Sequence, residues 1–395
     1  MASYRPRTMG SRIEWVIASC RLLAAIGDEF EQSRPFDGLR IGTGIHLEPK
    51  TVALLLVLSR GGAEVVSTGN LNTTQQEAID YLRAHGVRVV GGPTSDPEQL
   101  DSYLRGVLAA EPQLLLDNGG DLFVRWLEDP YEELLGGTEE TTSGRMRLVP
   151  LRDRLRRPVL VINDSPIKQF AENRHAVGQS VLESFLRITN RATNGRRVTV
   201  FGYGACGKGV AANFRNAHAD VSVVEVDPVV RLEALLDGFA VPDRADALRQ
   251  ADVVVTVTGA REVVAAADLP LLADGVVLAN AGHFPLEIDV AGIEADGDVV
   301  EREEAADGIT TLLLVDGRRV HILTRGHMVN LAGPRPLGNS IESMDLGFAL
   351  QARCLEAVAG GRAGSGDCVV PVPQAIDAAV AASYVGLAST HGAGR

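Results

Sequence analysis

The chain has 395 residues with 45% hydrophobic and 5% aromatic content, which is typical of an α/β protein with two or three domains. A formal net charge of −13 argues against nucleic acid or an anionic membrane as a partner. The four cysteines form no C-x-x-C pair and no apolar run reaches transmembrane length, which excludes disulfide scaffolds, zinc knuckles and membrane spans and predicts a cytoplasmic protein without a metal site.

The N-terminal part of the chain alternates between helical and extended patterns. Helices are predicted at residues 11–34, 51–60, 73–85 and 98–109, and strands at 40–46, 63–67, 87–90, 113–116 and 158–163. This alternation predicts a parallel sheet with helices on both faces. Sites in such sheets form where strands end, and His46 lies at such an end. The hydroxyl- and acid-rich segment 137–144 has, by composition alone, the character of a solvated loop.

Residues 196–227 carry the most specific single motif. An apolar strand leads into Gly202, Gly204 and Gly207, which form G-x-G-x-x-G at the start of a predicted helix. The first glycine permits a tight turn, the second lets the backbone approach a pyrophosphate, and the third lets helix and strand pack closely. Glu225 ends the next strand, where an acid binds a ribose 2′-hydroxyl and favours NAD over NADP. The sequence therefore predicts NAD as the cofactor.

The alternation of strands and helices continues beyond this motif. Strands are predicted at 253–258 and 276–282, a hairpin turn at Asp316–Gly317, and helices at 175–191, 208–217, 340–358 and 376–387. His283 follows directly after the second of these strands, so it also lies where sites form.

Lysine is rare in this chain and its positions are informative. It occurs only at Lys50, Lys168 and Lys208, whereas all other basic residues are arginine. Lysine can lose its proton in a buried site and arginine cannot. Lys168 and Lys208 are therefore candidates for a role that requires proton exchange.

Seven short motifs occur in one order along the chain. They are Leu116-Asp-Asn-Gly-Gly-Asp-Leu122, Glu139-Glu-Thr-Thr-Ser-Gly144, Asn163-Asp-Ser-Pro-Ile-Lys168, Gly202-Tyr-Gly-Ala-Cys-Gly-Lys-Gly209, Asn280-Ala-Gly-His-Phe284, Glu287-Ile-Asp289 and Val329-Asn-Leu331. Together they resemble the motifs of the adenosylhomocysteinase (S-adenosylhomocysteine hydrolase) family. The likeness extends from about residue 12 to about residue 388.

The resemblance implies an α/β fold of two Rossmann-like, doubly wound parallel-sheet domains with a cleft between them. The expected division is a substrate-binding domain at 1–178, an NAD-binding domain at 179–335, and a C-terminal segment at 336–395 whose helices return to the first domain. It also implies a homo-oligomer, either a dimer or a tetramer, that acts on a small nucleoside substrate.

The resemblance further implies a reaction in four steps. NAD⁺ oxidises the ribose 3′-hydroxyl to a ketone, the C4′ proton becomes acidic, homocysteine leaves from C5′, and water adds before the ketone is reduced again. Lys168 would act at the 3′-hydroxyl, because burial or a neighbouring cation brings a lysine towards proton exchange. Glu140 would bond the ribose hydroxyls. His46 and His283 would polarise groups or move protons at the 5′ position and beside the nicotinamide.

Residue by residue, the resemblance gives two sets of site positions. The catalytic positions are His46, Asn118, Glu140, Lys168, Glu172 and His283. The cofactor-binding positions are Thr141, Thr142, Ser143, Asn173, Gly202, Gly204, Ala205, Cys206, Gly207, Glu225, Thr256, Thr258, Gly259, Ala281, Gly282, His283 and Asn330.

The chain departs from the family pattern mainly on the substrate side. Asn118 replaces an aspartate assigned to acid–base work at the 5′ side, which an amide cannot perform. Glu48 and Lys50 replace the family's threonine and acidic or glutamine residues around the adenine, so Lys50 either clashes with an adenine-only pocket or pairs with Glu48. Other departures are Glu172 for aspartate, Val177 for cysteine, Pro334–Gly338 for a Gly-His-Pro-Ser loop, and the absence of a C-terminal Lys/Tyr tail.

Three functions therefore remain open from the sequence. The first is a working adenosylhomocysteinase. The second is a paralogue that uses the same oxidation, elimination and addition chemistry on another nucleoside or with another group at C5′. The third is a non-catalytic regulator that binds NAD, against which the retained Lys168, Glu140 and His283 argue.

Overall fold

The computed structural model of the chain describes residues 10–305 and 308–389. These residues form two compact units: the first holds the chain up to Gln169 and from Ile341 onward, and the second runs from Phe170 to Ser340. The sequence places domain boundaries after residues 178 and 335, and the division of roles between the domains stays a prediction. The ends of the predicted domains, 1–9 and 390–395, lie outside the described residues.

Regular elements cover most of the described chain. The strands are β1 (Arg40–Gly44), β2 (Glu64–Thr68), β3 (Arg88–Val89), β4 (Leu114–Asp117), β5 (Gly136–Glu139), β6 (Val159–Val161), β7 (Arg197–Phe201), β8 (Asp220–Val224), β9 (Val253–Thr256), β10 (Val276–Asn280), β11 (Val299–Ala305), β12 (Ile309–Leu314), β13 (Arg319–Leu323) and β14 (Cys368–Pro371). The α-helices are α1 (Arg12–Ser19), α2 (Arg21–Ser33), α3 (Pro49–Arg60), α4 (Gln76–Ala84), α5 (Pro97–Leu108), α6 (Asp121–Glu128), α7 (Thr142–Leu148), α8 (Arg152–Leu155), α9 (Val177–Thr189), α10 (Ala205–Asn216), α11 (Pro228–Leu236), α12 (Arg244–Gln250), α13 (Val290–Glu294), α14 (Val329–Ala332), α15 (Ile341–Ala359) and α16 (Gln374–Ser389). Residues Lys168–Ala176 form a π-helical segment directly before α9.

The first unit is built on a parallel sheet whose described strands follow the order β14-β6-β5-β4-β1-β2-β3. All four residues of β4 are buried, as expected for a central strand covered on both faces. The C-terminal segment belongs to this unit, because α15 packs against β4 and β5 while β14 pairs with β6. The predicted return of the C-terminal helices to the first domain is therefore confirmed.

The segment 137–144 differs from the sequence-based expectation. Its first residues lie in β5, a fully buried strand between β4 and β6, and α7 begins at Thr142. The buried carboxylate of Glu139 is satisfied there by backbone N–H groups of Gly119, Gly120 and Thr141. The solvated-loop interpretation is wrong, because composition does not reveal that the interior supplies partners for these polar groups.

The helix predicted at 11–34 is interrupted at Cys20, between α1 and α2. Cys20 offers no side-chain cap to α2. The Asp345 carboxylate of α15 instead accepts hydrogen bonds from the backbone N–H groups of Leu22 and Leu23, both at 2.8 Å. The orphan donors at the start of α2 are thus satisfied by a residue distant in sequence, which a local pattern cannot show.

The second unit contains a mixed sheet whose described strands follow the order β11-β12-β13-β10-β9-β7-β8. The neighbouring strands β13, β10, β9, β7 and β8 are parallel. Strands β11, β12 and β13 form an antiparallel meander. The predicted hairpin at Asp316–Gly317 is confirmed as the turn between β12 and β13. None of the helices in the two described ranges is both long and apolar enough to cross a membrane.

Candidate active site

Polar residues of the first unit meet where its parallel strands end. His46 follows β1, Asn118 follows β4, Glu140 follows β5, and Lys168 begins the π-helical segment after β6. Because these strands are parallel neighbours, their carboxyl ends lie at one edge of the sheet. Residues widely separated in sequence are thereby brought into one polar cluster.

Glu140 lies at the centre of this cluster. Its Oε1 lies 3.3 Å from the Lys168 Nζ, and its Oε2 accepts a hydrogen bond of 2.8 Å from the Asn118 Nδ2. Burial by itself would raise the pKa of Glu140, but the charge of Lys168, the hydrogen bond from Asn118 and the charge of His46 outweigh burial and lower the pKa. Glu140 is therefore an ionised acceptor, suited to orient the hydroxyl groups of a sugar.

Asn118 has two partners within the cluster. Besides donating to Glu140, it accepts a hydrogen bond of 3.3 Å from the Asn70 Nδ2. Both amides are buried. Asn118 therefore acts as a neutral donor and acceptor that links Glu140 to the loop after β2, and it supplies no exchangeable proton for acid–base chemistry.

His46 is held by the same loop. Its Nδ1 lies 2.6 Å from the Thr73 Oγ1, and its backbone oxygen accepts a hydrogen bond of 2.6 Å from the Thr51 hydroxyl. Sequence reasoning missed Asn70 and Thr73. The signal that could have found them is their position just after β2, which is another strand end in the same sheet.

Glu48 and Lys50 resolve one alternative left open by the sequence. Both residues are buried at the start of α3, and the Lys50 Nζ lies 2.8 Å from the Glu48 Oε2. The two residues pair. The pair follows His46 closely in sequence and combines one charged donor with one charged acceptor.

The first turn of α7 carries the predicted cofactor-binding residues Thr141, Thr142 and Ser143. The Thr141 hydroxyl accepts a hydrogen bond of 2.9 Å from the backbone N–H of Gly144 and so caps α7. It donates a hydrogen bond of 2.7 Å to the Glu139 carboxylate. The start of α7 is therefore fixed to the buried end of β5.

The second unit contains the glycine turn predicted from the sequence. Gly202 has a φ of 96°, a backbone conformation that favours glycine. Helix α10 begins at Ala205, and Cys206 is its second residue. A Cβ atom at Gly207 would lie 2.1 Å from the backbone oxygen of Gly202, so the turn requires glycine there. A Cβ at Gly204 would meet no protein atom within 4 Å, which leaves its backbone open to a ligand.

Two further observations fit NAD in the second unit. The Glu225 carboxylate lies at the end of β8 and accepts the backbone N–H groups of Tyr203, Val226 and Asp227 at 2.7–3.0 Å, which fixes it beside the turn. The buried Oδ1 of Asn330 has no hydrogen-bond partner within the described ranges, although its Nδ2 donates to Ser180 at 2.9 Å. An orphan buried acceptor is a position where a ligand donor is expected.

The end of β9 and the loops after β9 and β10 carry the remaining predicted positions of this group: Thr256, Thr258, Gly259, Ala281, Gly282 and His283. The Glu287 carboxylate accepts hydrogen bonds of 2.8 Å from the backbone N–H groups of Thr258 and Gly259. Asn280 accepts from the N–H of Gly282 at 2.7 Å. Asn280 and Glu287 belong to two of the seven sequence motifs, but the sequence did not predict that they position these loops.

Glu172 and Asn173 lie in the π-helical segment, and Glu172 is buried. The sequence predicted an ordinary helix from about residue 175 and did not predict this segment. Wide helical turns of this kind are uncommon and are frequent at functional sites, so the position of both residues in one supports their selection as candidates.

Comparisons with known proteins match most of the chain. A protein-family model described as "S-adenosyl-L-homocysteine hydrolase" matches residues 11–133, and one described as "S-adenosyl-L-homocysteine hydrolase, NAD binding domain" matches residues 173–335. The chain is 38% identical to an adenosylhomocysteinase of Thermococcus kodakarensis over 94% of this chain and 88% of that protein. It is also 38% identical to an S-inosyl-L-homocysteine hydrolase of Methanopyrus kandleri, over 93% of this chain and 88% of that protein. An adenosylhomocysteinase of Thermotoga maritima is 41% identical to this chain, over 86% of this chain and 85% of that protein.

Proposed function

Because the chain belongs to the S-adenosyl-L-homocysteine hydrolase family, we propose that it cleaves, or in reverse forms, the C5′ thioether of S-adenosyl-L-homocysteine. It is an NAD-binding enzyme of that family. The observation that carries the proposal is the buried cluster in which Glu140 contacts both Lys168 and Asn118. Such a cluster suits a reaction in which sugar hydroxyls are oriented and deprotonated away from water.

The residues of the second unit would hold the cofactor. The turn at Gly202–Gly207 leaves its backbone open for a pyrophosphate, Glu225 suits a ribose diol, and the Asn330 Oδ1 suits a carboxamide donor. NAD, when bound, supplies a reversible acceptor for the hydride at C3′ of the substrate ribose.

At the ribose we assign complementary roles to Glu140 and Lys168. The ionised Glu140 accepts hydrogen bonds from the sugar hydroxyls and fixes their direction. Lys168 exchanges the proton of the 3′-hydroxyl, because its Nζ is buried 3.3 Å from the carboxylate that orients that group. When C3′ is a ketone the C4′ proton is acidic, and the bond from C5′ to sulfur can break by elimination.

At C5′ we assign the proton transfer to His46. In the elimination, His46 takes the C4′ proton and passes a proton to the leaving sulfur; in the addition, it takes a proton from water and returns one to C4′. Asn118 cannot perform either step, because it is an amide that donates to Glu140. His46 can perform both, since it is a titratable group close enough for its charge to act on Glu140.

A second candidate substrate is S-inosyl-L-homocysteine. The observation that favours it is the buried Glu48–Lys50 pair, which stands where the family resemblance expects the base-binding residues. A 6-oxopurine offers an N1–H donor to the carboxylate and an O6 acceptor to the ammonium, so both bonds would be charge-assisted. Adenine satisfies the same pair only with donor and acceptor in the opposite order.

The test of function is mass spectrometry of the NAD-loaded enzyme mixed with homocysteine and either adenosine or inosine. We expect a nucleosidyl-homocysteine product, and the ratio of the two kcat/KM values identifies the base. The Lys168→Met variant is the control and should form neither product. If the wild-type enzyme forms no product but either nucleoside raises the absorbance of bound NADH, the 3′-oxidation holds and the group at C5′ is different. If neither occurs, the regulator hypothesis replaces the proposal.

The base assignment has its own test, the double variant Glu48→Thr with Lys50→Gln. Residues of the family type at these positions should shift the ratio of kcat/KM for adenosine over inosine by about 10-fold, the size of one or two hydrogen bonds to a base. An unchanged ratio would remove the pair from base recognition. The single variant Lys208→Gln changes a partly exposed lysine of the second unit that pairs with Glu233, and it serves as the matched control.

We also propose that the enzyme is a cytoplasmic homo-oligomer, a dimer or a tetramer. No disulfide is formed by the cysteines of the described chain, which supports a reducing compartment. Light scattering of the NAD-loaded protein measures the oligomeric state, and a monomer at micromolar concentration would contradict the proposal.

A further inference from the structure

Two buried acids lie directly behind the proposed substrate site. Asp117 and Glu139 are register partners at the carboxyl ends of β4 and β5, and neither is exposed to solvent. Each is followed by a proposed site residue, Asn118 and Glu140 respectively. The proposed mechanism gives no role to Asp117 or Glu139, although burying two adjacent carboxylates is costly.

Both carboxylates organise backbone around the site, each with three N–H donors. Asp117 accepts from the N–H groups of Asn118, Leu122 and Phe123, and Glu139 from those of Gly119, Gly120 and Thr141, all at 2.7–3.1 Å. Glu139 also accepts the hydroxyl of Thr141. The pair therefore fixes the turn that carries Asn118 and the start of α7 that carries the predicted cofactor contacts.

The electrostatic surroundings favour a shared proton. Burial and the nearby Asp121 raise the pKa of Asp117 to about 7, and burial and Asp117 raise the pKa of Glu139 to about 8, although the backbone hydrogen bonds oppose both shifts. The charged neighbours are themselves paired: Asp121 with Arg125 and Arg147, and Glu140 with Lys168. Two adjacent buried carboxylates cannot both ionise easily, so one proton between them is the stable arrangement near neutral pH.

We propose that Asp117 and Glu139 are positioning residues that share one proton and thereby hold Asn118, Glu140 and Thr141 in their working positions. They touch neither substrate nor cofactor and act through the backbone of the residues that do. The catalytic part of this inference rests on the proposed function. When the shared proton is lost at alkaline pH, the two charges repel and the turn at Asn118–Gly120 shifts.

The first test does not depend on turnover. Infrared spectra of the NAD-loaded protein are recorded during a pH titration, for the wild type and for Glu139→Gln and Asp117→Asn. We expect a protonated-carboxyl band that titrates near pH 7–8 in the wild type and moves to lower pH in both variants, because the remaining carboxyl no longer has the charge of the other beside it. Glu98→Gln, at an exposed position, is the control and should keep the band. A wild type without such a band would overturn the proposal.

The second test measures the positioning effect. Hydrogen exchange of the segments around Gly119 and Thr141 should accelerate at least 10-fold in Glu139→Gln, while exchange in the second unit stays unchanged. The alkaline limb of kcat, which reports loss of the shared proton, should disappear in this variant. A variant that loses stability but keeps the wild-type pH profile would show that Glu139 has only a structural role.

Asp121→Asn keeps the pair intact and guards against a variant that fails to fold. Removing this neighbouring charge should move the infrared titration and the alkaline limb of kcat together to lower pH. If the infrared band moves and no nucleoside is turned over, the proposed function fails while the shared proton stands. If the infrared titration moves and the alkaline limb of the kcat–pH profile does not, the shared proton has no part in catalysis.

Discussion

The two units build their sites from different materials. The first unit uses buried ionisable side chains from segments that follow separate strands, among them Glu140, Lys168 and the Glu48–Lys50 pair. The second unit uses backbone: a turn from Gly202 to Gly207 in which the absence of side chains is the essential feature. A set of buried charges must balance as a whole, whereas a turn is fixed by steric contact at single positions. Substitutions that change a buried charge should therefore disrupt the first site, and substitutions that add side-chain volume should disrupt the second.

Replacing Lys168 by methionine should break the first site most severely. We expect turnover to fall by about 10³-fold, because proton-transfer groups contribute roughly 10²–10⁴-fold. The free energy of unfolding should fall by about 3–5 kcal/mol, because Glu140 remains as an uncompensated buried charge. Turnover of the NAD-loaded enzyme and denaturant unfolding measure the two effects.

The matched control for that variant is Lys208→Met. Lys208 pairs with Glu233 at 2.7 Å, but the Glu233 side chain is 48% exposed, so the loss should stay below about 1 kcal/mol. Equal losses of stability in the two variants would contradict the view that the first site depends on buried charge.

In the second unit, Gly207→Ala and Gly204→Ala should separate steric strain from ligand contact. At Gly207 the new methyl lies 2.1 Å from the oxygen of Gly202, so both thermal stability and NAD retention should fall. At Gly204 no protein atom lies within 4 Å, so stability should hold while NAD binds about 100-fold more weakly, which corresponds to about 2.8 kcal/mol. Measurements of NAD content and Tm distinguish steric strain from loss of ligand contact. An alanine at Gly204 that leaves NAD content unchanged would refute the assigned approach of the pyrophosphate.

Replacing Asn118 by aspartate tests whether the first site tolerates another negative charge. The new carboxylate would face the Glu140 oxygen that the amide now contacts at 2.8 Å. We expect the free energy of unfolding to fall by about 2 kcal/mol at neutral pH, because a buried hydrogen bond is lost and like charges meet. Turnover should not rise. A 10-fold rise at unchanged stability would instead indicate that Asn118 is a recent loss from an ordinary hydrolase site.

The last predicted effect concerns pH and Asp345. Burial raises the pKa of this carboxyl to about 6, above its ordinary value, although hydrogen bonds from Leu22 and Leu23 oppose the shift. The folded state therefore holds the proton more tightly, and stability from this group is lost as pH rises from about 4 through about 6. In Asp345→Asn the decline between pH 4 and 7 should be shallower in denaturant unfolding by about 3 kcal/mol, because the asparagine side chain does not titrate. Parallel declines in variant and wild type would exclude the effect.

Much of the second site could be predicted from the sequence. The positions of Gly202, Gly204, Gly207 and Glu225 are set by one strand, one turn and one helix, all within a short stretch of chain. Steric contact and hydrogen bonding act over such short ranges, so spacing alone carries the information. The supporting roles of Asn280 and Glu287 were not predicted, because they depend on partners in other segments: Asn280 contacts Thr256 and Gly326, and Glu287 contacts Thr258.

In the first site the sequence by itself determined the candidates, and the tertiary structure decided their relations. His46, Asn118, Glu140 and Lys168 could each be selected from motifs, as could the departures at Glu48 and Lys50. Only the order of the parallel strands brings Glu140 to Lys168, and only the packing of α15 caps α2 and so interrupts the first predicted helix. Local patterns report propensity and spacing. The burial, pairing and protonation of a charge depend on which distant segments surround it, and that information arises only when the sheet has formed.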